Sequence, residues 1–396
     1  MSSTEPTLPP PPIADSRRRR RRRRRWPLGL LVVTVLLAAA VLWSVTATAP
    51  YYELLPGQAQ EVSQLITVPK GAAHPLHGQV LLTDVEVDTM KYLQFVPAYF
   101  DSDATVVPTG ELTGNLPLSE FNAEGTVDME ESQQTAAAVA LRQLGYAVPE
   151  RDVGTTVYVV DPGSPAWDQH ALQVGDVVTA IDGVPTPNPD ALVSALDTHE
   201  PGQTVILQVG SVQSPLPGRT VKLVLGSLTD DGTTKPLIGI GEPSSGIPSM
   251  GTQALYSMPF SVSINSDNIG GPSAGLAFTL GIINTLSGGH LTGGHVVAAT
   301  GTIDPDGSVG DVGGVAQKTV AVERAGATLF LVPPEELSVA RSKATGKLKV
   351  EAVANIGQAL ADLAGIGGQL GAAAKGPVSG NPGHGVPFDW QDSPWS

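Results

Sequence analysis

A serine in a turn of small residues and one nearby lysine are the residues of this chain best suited to covalent chemistry. Ser273 lies in the run Gly-Gly-Pro-Ser-Ala-Gly (270–275), and Lys318 is the only lysine between Lys235 and Lys343. A serine hydroxyl is a weak nucleophile until a neighbouring base takes its proton. A run of this composition is otherwise an ordinary tight turn. The serine and the lysine together predict a serine peptidase with a lysine base.

The setting of the lysine supports this interpretation. Lys318 follows the glycine pair 313–314 and heads a helical pattern at 319–325, which leads into an apolar strand at 328–333. The positive end of a helix disfavours a lysine, so stability alone does not explain its position. The same field, together with burial, would lower the lysine pKa, as a general base requires.

These two segments resemble the proteolytic domain of the Lon family, whose nucleophile lies in a Pro-Ser-Ala-Gly turn and whose lysine ends a Gly-Gly-x-x-x-Lys motif. The interval from Ser273 to Lys318 is also close to that of the family. The resemblance implies that Ser273 is the catalytic nucleophile and Lys318 its base. It further implies that Thr300, in a Thr-Gly pair, orients the lysine. Many members carry an acid just before Gly-Pro-Ser, where this chain has Gly270, so no acidic third partner is assigned.

A histidine base is the alternative. His290 and His295 lie in glycine-rich loops of the same region, and a Ser-His-Asp triad is the commoner solution to this chemistry. Histidines in such loops are more often solvated than catalytic. The chain has no cysteine, which excludes a thiol protease, a cysteine-ligated zinc and any disulfide. Neither a metal nor another cofactor is predicted.

The N-terminal region predicts a membrane anchor. Arg17–Arg25 is an unbroken arginine run, and Leu28–Val45 is almost continuously Leu, Val and Ala. As a helix, residues 26–46 would be about 30 Å long, the thickness of a bilayer's hydrocarbon core. The positive-inside rule predicts that residues 1–25 are cytoplasmic and the rest extracytoplasmic. A cleavable signal peptide, cut within the small residues at 46–49, is the alternative.

The net negative charge of the residues beyond the membrane segment argues against a nucleic acid partner. Nine of the 23 basic residues lie in the arginine run, which leaves 14 basic residues against 36 acids beyond the membrane segment. A surface this acidic repels nucleic acid backbones, so no nucleic acid partner is predicted. Its simplest role is solubility.

A central segment resembles a bacterial PDZ domain. A strand at 155–160 is followed by Gly-Asp-Val-Val (175–178), Ile-Asp-Gly (181–183), a helix at 189–198 and a strand at 203–209. The resemblance implies an exposed sheet edge to which an extended peptide adds as a further strand. Protein or peptide substrates are therefore predicted to bind there.

The PDZ-like segment is predicted to interrupt the protease domain. Strand-like residues 78–87 and a helix at 129–142, with the Met-x-Glu-Ser-x-x-x-Ala pattern of Lon-type domains, precede it, and the strand leading to the serine, 260–264, follows it. Three independent domains in a row are the alternative.

The predicted fold is α+β, a Lon-type proteolytic domain with an inserted PDZ-like domain after one transmembrane helix. The predicted boundaries are a cytoplasmic tail at 1–25, the membrane helix at 26–46, the first part of the protease at 47–150, the PDZ domain at 151–227, the catalytic domain at 228–368 and a disordered tail at 369–396.

The absence of a nucleotide motif bears on mechanism. Lon proteases couple cleavage to an ATPase, but Gly346-Lys347 lacks the other residues of a P-loop. The chain is therefore predicted to cleave flexible or misfolded extracytoplasmic or membrane-associated proteins without ATP, with the PDZ domain selecting them. A catalytically silent PDZ adaptor on a protease scaffold is the alternative function. The resemblance to Lon also suggests a homo-oligomeric ring.

Overall fold

The computed structural model describes residues 16–114, 116–230, 232–240, 249–266 and 269–371. These divide into two units, one of residues up to Tyr51 with Thr89–Asp101, the other of Tyr52–Asp88 with residues from Ser102 onward. Part of the predicted cytoplasmic tail, residues 1–15, and the predicted disordered tail beyond residue 371 lie outside the described residues.

The described chain contains both helices and strands. The helices are α1 (Ser16–Thr46), α2 (Phe95–Phe100), α3 (Thr109–Thr113), α4 (Leu118–Gln143), α5 (Pro165–Asp168), α6 (Pro189–Leu196), α7 (Gly275–Leu286), α8 (Val315–Arg324), α9 (Leu337–Lys343) and α10 (Ile356–Gly365). The strands are β1 (Thr48–Glu61), β2 (Ile66–Thr67), β3 (Gln79–Lys91), β4 (Thr105–Pro108), β5 (Glu150–Val157), β6 (Asp176–Ile181), β7 (Val184–Pro185), β8 (Thr204–Ser211), β9 (Arg219–Val224), β10 (Gly226–Asp230), β11 (Thr233–Leu237), β12 (Met250–Tyr256), β13 (Ser263–Ile264), β14 (Val296–Ala299), β15 (Thr302–Ile303), β16 (Val309–Gly310), β17 (Leu329–Val332) and β18 (Lys349–Ala352).

Helix α1 contains the predicted membrane segment. Its part from Leu28 to Thr46 has 19 residues with a mean hydropathy of 2.6. At 1.5 Å per residue this part is about 28 Å long, which matches a bilayer core. Among the described residues it is the one helix long and apolar enough to cross a membrane. The helix therefore fits a membrane anchor, and its orientation stays a prediction.

A six-stranded sheet in the order β18-β17-β14-β3-β1-β4 forms the centre of the predicted protease domain. Side chains alternate between its two faces, as the period of a strand requires. One face packs against α4, α7 and α10, and the other against α8 and α9. The first face carries Val80, Leu82, Val297, Ala299, Leu329 and Leu331, and the second carries Leu81, Ala298, Phe330 and Val332.

Helix α7 is the innermost helix of this domain. All of its residues, from Gly275 to Leu286, are buried, and it packs along α4. Helices that are apolar on every side lie in a protein core or in a membrane. The N-terminal end of α7, where Ser273 lies, is therefore fixed from several directions.

A second sheet, in the order β12-β5-β6-β8-β9 with β7 paired to β6, forms the inserted domain. Its pairings are antiparallel. Helix α6 covers its core, which includes Val157, Ile181, Leu192 and Leu207.

The chain segments before and after this domain build one protease fold. β2 pairs with β13, and β3 pairs in parallel with β14. Where the inserted domain begins and ends, the Ser257 amide donates a 2.8 Å hydrogen bond to the Pro149 carbonyl. The predicted insertion is confirmed, because independent domains in a row would not share these strand pairs.

The inserted domain extends beyond the predicted boundary at residue 227. β10 and β11 form an antiparallel hairpin that begins at Gly226 and continues past this boundary. Ile238 and Ile240 are buried in the core of the inserted domain, and β12 pairs with β5 along its whole length.

The closeness of Pro149 and Ser257 predicts that residues 150–256 can be removed without unfolding the protease domain. Joining the two ends through a short glycine linker should preserve the secondary structure of the rest. Stability should fall by roughly 1–3 kcal/mol, because Val127 on α4 packs against Val177 and Val212 of the inserted domain and would become exposed. Circular dichroism and thermal unfolding of the purified variant measure both effects. An unfolded variant would show that the protease fold depends on the insertion.

Candidate active site

Ser273 lies in a short 3₁₀ turn, Pro272–Ala274, that runs directly into α7. The turn begins at Gly271, whose φ of 85° favours glycine. Pro272 then stands at the first helical position, where its missing amide hydrogen costs nothing. The serine side chain is half-buried.

Four hydrogen bonds hold the backbone of this turn. The Ser273 carbonyl accepts from the Gly301 amide at 3.0 Å and from Thr300 Oγ1 at 3.2 Å. On the other side, Ser132 Oγ of α4 donates to the Pro272 carbonyl at 3.2 Å, and the Gly271 amide donates to the Gly125 carbonyl at 2.6 Å. The position of Ser273 is thus determined by both the 300–301 segment and α4.

Glycine is needed where α7 starts. A Cβ atom on Gly275 would lie 2.8 Å from Ile303 Cγ2 and 2.9 Å from the Ile303 amide nitrogen. Such contacts are closer than real side chains make, and one of them is to backbone. Gly275, two residues after the serine, therefore allows β15 to approach the turn that contains Ser273.

Lys318 is the fourth residue of α8, one turn beyond the glycine pair predicted from the motif. Its cap residue Gly314 has a φ of 70°, and a Cβ atom there would lie 2.5 Å from Val85 Cγ2 of β3. This close approach places the first turn of α8 against the sheet. Lys318 is only 3% exposed as a result.

The Lys318 amine has one hydrogen-bonding partner among the described residues. Nζ donates to Thr300 Oγ1 at 3.3 Å. Burial lowers the pKa of Lys318 to about 8, although the negative charges of Asp84 and Glu336 act in the opposite direction. At that pKa a substantial fraction of the amine is neutral near pH 8 and able to accept a proton.

Thr300 joins the two predicted catalytic residues. Its hydroxyl accepts from Lys318 Nζ and contacts the carbonyl of Ser273. The structure thus brings together Ser273, Lys318 and Thr300, which the sequence predicted as a set. Among the described residues no hydrogen bond joins Lys318 Nζ directly to Ser273 Oγ. Catalytic hydrogen bonds are often formed only when substrate is bound.

The histidines of the alternative triad lie at the other end of α7. The Leu291 amide, next to His290, bonds to Asn284 Oδ1 near the helix C-terminus, and the helix is about 18 Å long at 1.5 Å per residue. The ring of His290 stacks on that of His77 at 4.2 Å. The His295 carbonyl accepts from the Gln79 amide at 3.0 Å, at the start of β3. This geometry disfavours a histidine base for Ser273.

Sequence reasoning missed the acidic residues of α4 that face the inserted domain. Glu131 accepts hydrogen bonds from Thr156 at 2.9 Å and from Tyr158 at 2.6 Å. Burial raises the pKa of Glu131. Burial and the charge of Asp128 raise the pKa of Glu124 to about 7. The helical pattern was visible in the sequence, but nothing in it indicated which acids would meet another domain.

Family comparisons match both domains. Residues 156–209 match the family model of the PDZ domain, and residues 266–364 match that of the Lon protease (S16) C-terminal proteolytic domain. Similar solved structures include the PDZ domain of the SdrC-like protein from Listeria monocytogenes, with 24% identity over 22% of this chain and 84% of that chain and a TM-score of 0.19. The corresponding domain from Listeria innocua has 23% identity over 22% and 89% of the two chains and a TM-score of 0.18. A search of curated proteins found no match. The family matches confirm the two predicted domain types.

Burial of the Lys318 amine should lower the stability of the folded chain, although the lowered pKa is what a general base requires. In the unfolded chain the Lys318 pKa is near its ordinary 10.5, whereas burial lowers it to about 8 in the folded state. Below pH 8 both states are protonated, and the folded state carries a penalty of up to about 3 kcal/mol. Lys318→Met should therefore raise the unfolding free energy at pH 7 by an amount of this order.

The pH dependence distinguishes this effect from simple hydrophobic gain. The stability of the native chain relative to Lys318→Met should increase as the pH rises from about 8 towards 10.5, because the folded state then releases the proton. Denaturant unfolding of both proteins at several pH values measures the difference, with exposed Lys347→Met as the matched control. A Lys318→Met variant that is less stable than the native chain at pH 7 contradicts the prediction.

Proposed function

We propose that this chain, a Lon-like protease that carries a PDZ domain, is a serine endopeptidase in which Ser273 is the nucleophile and Lys318 the general base. One observation carries the proposal: a buried lysine amine of lowered pKa is connected through Thr300 to the turn that presents Ser273. Lysine is rarely buried without a compensating charge, and a stability role does not account for this one. A role as the base for the Ser273 hydroxyl accounts for the burial of this lysine.

The chemistry needs Lys318 to be neutral at the start. Its amine takes the proton of Ser273 Oγ as that oxygen attacks the peptide carbonyl, and the resulting ammonium gives the proton to the departing amine. An ester between Ser273 and the acyl part of the substrate remains. A water molecule then gives its proton to Lys318 while its oxygen attacks the ester. Lys318 passes that proton to Ser273 Oγ as the ester bond breaks, which releases the acid and restores both the serine hydroxyl and the neutral amine. Thr300 holds the amine in place throughout.

The PDZ domain would select the substrate. PDZ domains bind extended peptides as an added strand, and α4 links this domain to the nucleophile turn. Val127 and Glu131 of α4 contact the PDZ domain, while Gly125 and Ser132 of the same helix bond to the residues before Ser273. We infer that flexible or misfolded proteins are recruited there and cleaved without ATP. Adding ATP and magnesium to a casein digestion should leave its rate unchanged.

The catalytic assignment predicts a specific set of variants. Ser273→Ala should abolish peptide cleavage and labelling by a fluorophosphonate, a reagent that reacts with activated serines. Lys318→Arg should be nearly inactive because guanidinium stays charged. Thr300→Val should lose less activity, since it removes only the partner that orients the amine. A chain that is never labelled but still binds peptides would support the adaptor alternative.

The pH profile tests the base independently. Because the pKa of Lys318 is lowered to about 8, kcat/KM should rise with pH and level off above about pH 9. At pH 6 it should be roughly 100-fold below the plateau, since only about one amine in a hundred is then neutral. The same profile in His290→Ala and His295→Ala would support lysine as the base. A rise that disappears in either histidine variant would refute it.

We further propose that α1 anchors the chain with residues 1–25 in the cytoplasm and the protease outside. Arg17–Arg25 precedes the apolar helix, and positive charge next to a membrane helix is retained on the cytoplasmic side. Protease added to intact cells should therefore remove the chain from about Pro50 onward and spare an N-terminal tag. Digestion of the tag would reverse the orientation, and a mature chain that begins near residue 50 would indicate a cleaved signal peptide.

A further inference from the structure

The segment Tyr92–Phe100, in the same unit as the membrane helix, is apolar and uncharged. Its sequence, Tyr-Leu-Gln-Phe-Val-Pro-Ala-Tyr-Phe, lies between Lys91 and Asp101. It forms a 3₁₀ turn, Tyr92–Gln94, followed by α2. The catalytic proposal assigns no role to it.

Helix α2 is apolar on both faces. Phe95 and Ala98 point towards the rest of the unit, where Ala98 is buried and Phe95 half-buried. The exposed side, called the outer face here, carries Val96, Tyr99 and Phe100, which are 60%, 84% and 80% exposed. A helix that is apolar all round is stable in an apolar environment and unfavourable in water. The described residues of its unit leave the outer face uncovered.

The contacts of this segment place it at the end of the membrane helix. Trp43, one turn before the end of α1, stacks on Tyr92 with ring centroids 4.8 Å apart and an interplanar angle of 24°. Just beyond the helix, Lys91 Nζ donates to Thr48 Oγ1 at 2.8 Å. Tryptophan and tyrosine are enriched where the hydrocarbon core meets the headgroups, and lysine extends from there into water. The Trp43–Tyr92 pair therefore marks the level of the membrane surface.

We propose that Tyr92–Phe100 is a second membrane-contacting element, which inserts its outer face into the lipid at the C-terminal end of α1. The outer face of the segment would contact the layer of the bilayer where headgroups meet acyl chains. The inference depends on α1 as a membrane helix and not on its orientation or on the catalytic assignment.

The absence of cysteine from the chain makes the test direct. Single cysteines replace Tyr99, Phe100 and, as controls, Leu37 in α1 and the exposed Val184 in the PDZ domain. Each full-length variant is labelled with a nitroxide and reconstituted into phosphatidylcholine vesicles. Electron paramagnetic resonance then compares collisions with oxygen, which concentrates in lipid, and with a nickel chelate, which stays in water. The oxygen-to-nickel ratio at Tyr99→Cys and Phe100→Cys should be several-fold higher than at Val184→Cys and approach that at Leu37→Cys.

Three outcomes overturn the proposal. A ratio at both positions equal to that of Val184→Cys would place the segment in water. Low collision rates with both reagents would mean that protein covers it, such as a second copy of the chain. A water-like ratio at Leu37→Cys would remove the membrane anchor itself, while fluorophosphonate labelling of Ser273 would still test the catalytic proposal separately. If circular dichroism shows that either labelled variant is misfolded, Val96→Cys on the same outer face replaces it.

Discussion

The Lys318 ammonium loses its hydration when α8 packs on the sheet, and the surrounding residues must accommodate this loss. Only the Thr300 hydroxyl is close enough to bond to the amine, so desolvation dominates its pKa. Asp84 and Glu336 stabilise the charged form from a greater distance and keep the pKa at about 8. A carboxylate in direct contact would hold the amine charged, and complete isolation would make the folded state too costly. The position of α8, fixed by the contact of Gly314 with Val85, sets this balance.

Helix α4 gives the second domain access to the same site. Three of its residues contact the PDZ domain: Val127 packs against apolar side chains there, and Glu130 and Glu131 accept hydrogen bonds from it. Gly125 and Ser132, which flank these three residues along the helix, bond to the turn before Ser273. The Met-x-Glu-Ser pattern thus belongs to both domains.

Much of the site was predictable because short motifs determine its local geometry. The turn at Ser273 and the start of α8 depend on glycine and proline, whose conformational limits are local. Element ends were less predictable. The helix predicted at 129–142 begins at Leu118, because its first turns carry many polar residues and lack the run of small apolar residues seen further along the helix. The strand predicted at 260–264 contains only Ser263 and Ile264, because no partner strand extends beyond the two residues of β2. Contacts between domains, such as Glu131 with Tyr158, have no local signal at all.

The hydrogen bond between Pro149 and Ser257 has a thermodynamic consequence for the host domain. To the protease fold, the insertion is a loop whose two ends must meet. A folded insertion holds these ends together, whereas an unfolded one is a long flexible chain whose closure costs a few kcal/mol of entropy. Unfolding of the inserted domain would therefore lower the free energy of unfolding of the protease domain by that closure entropy. Anything that stabilises the insertion raises the melting temperature of its host, even without changing the shape of either one.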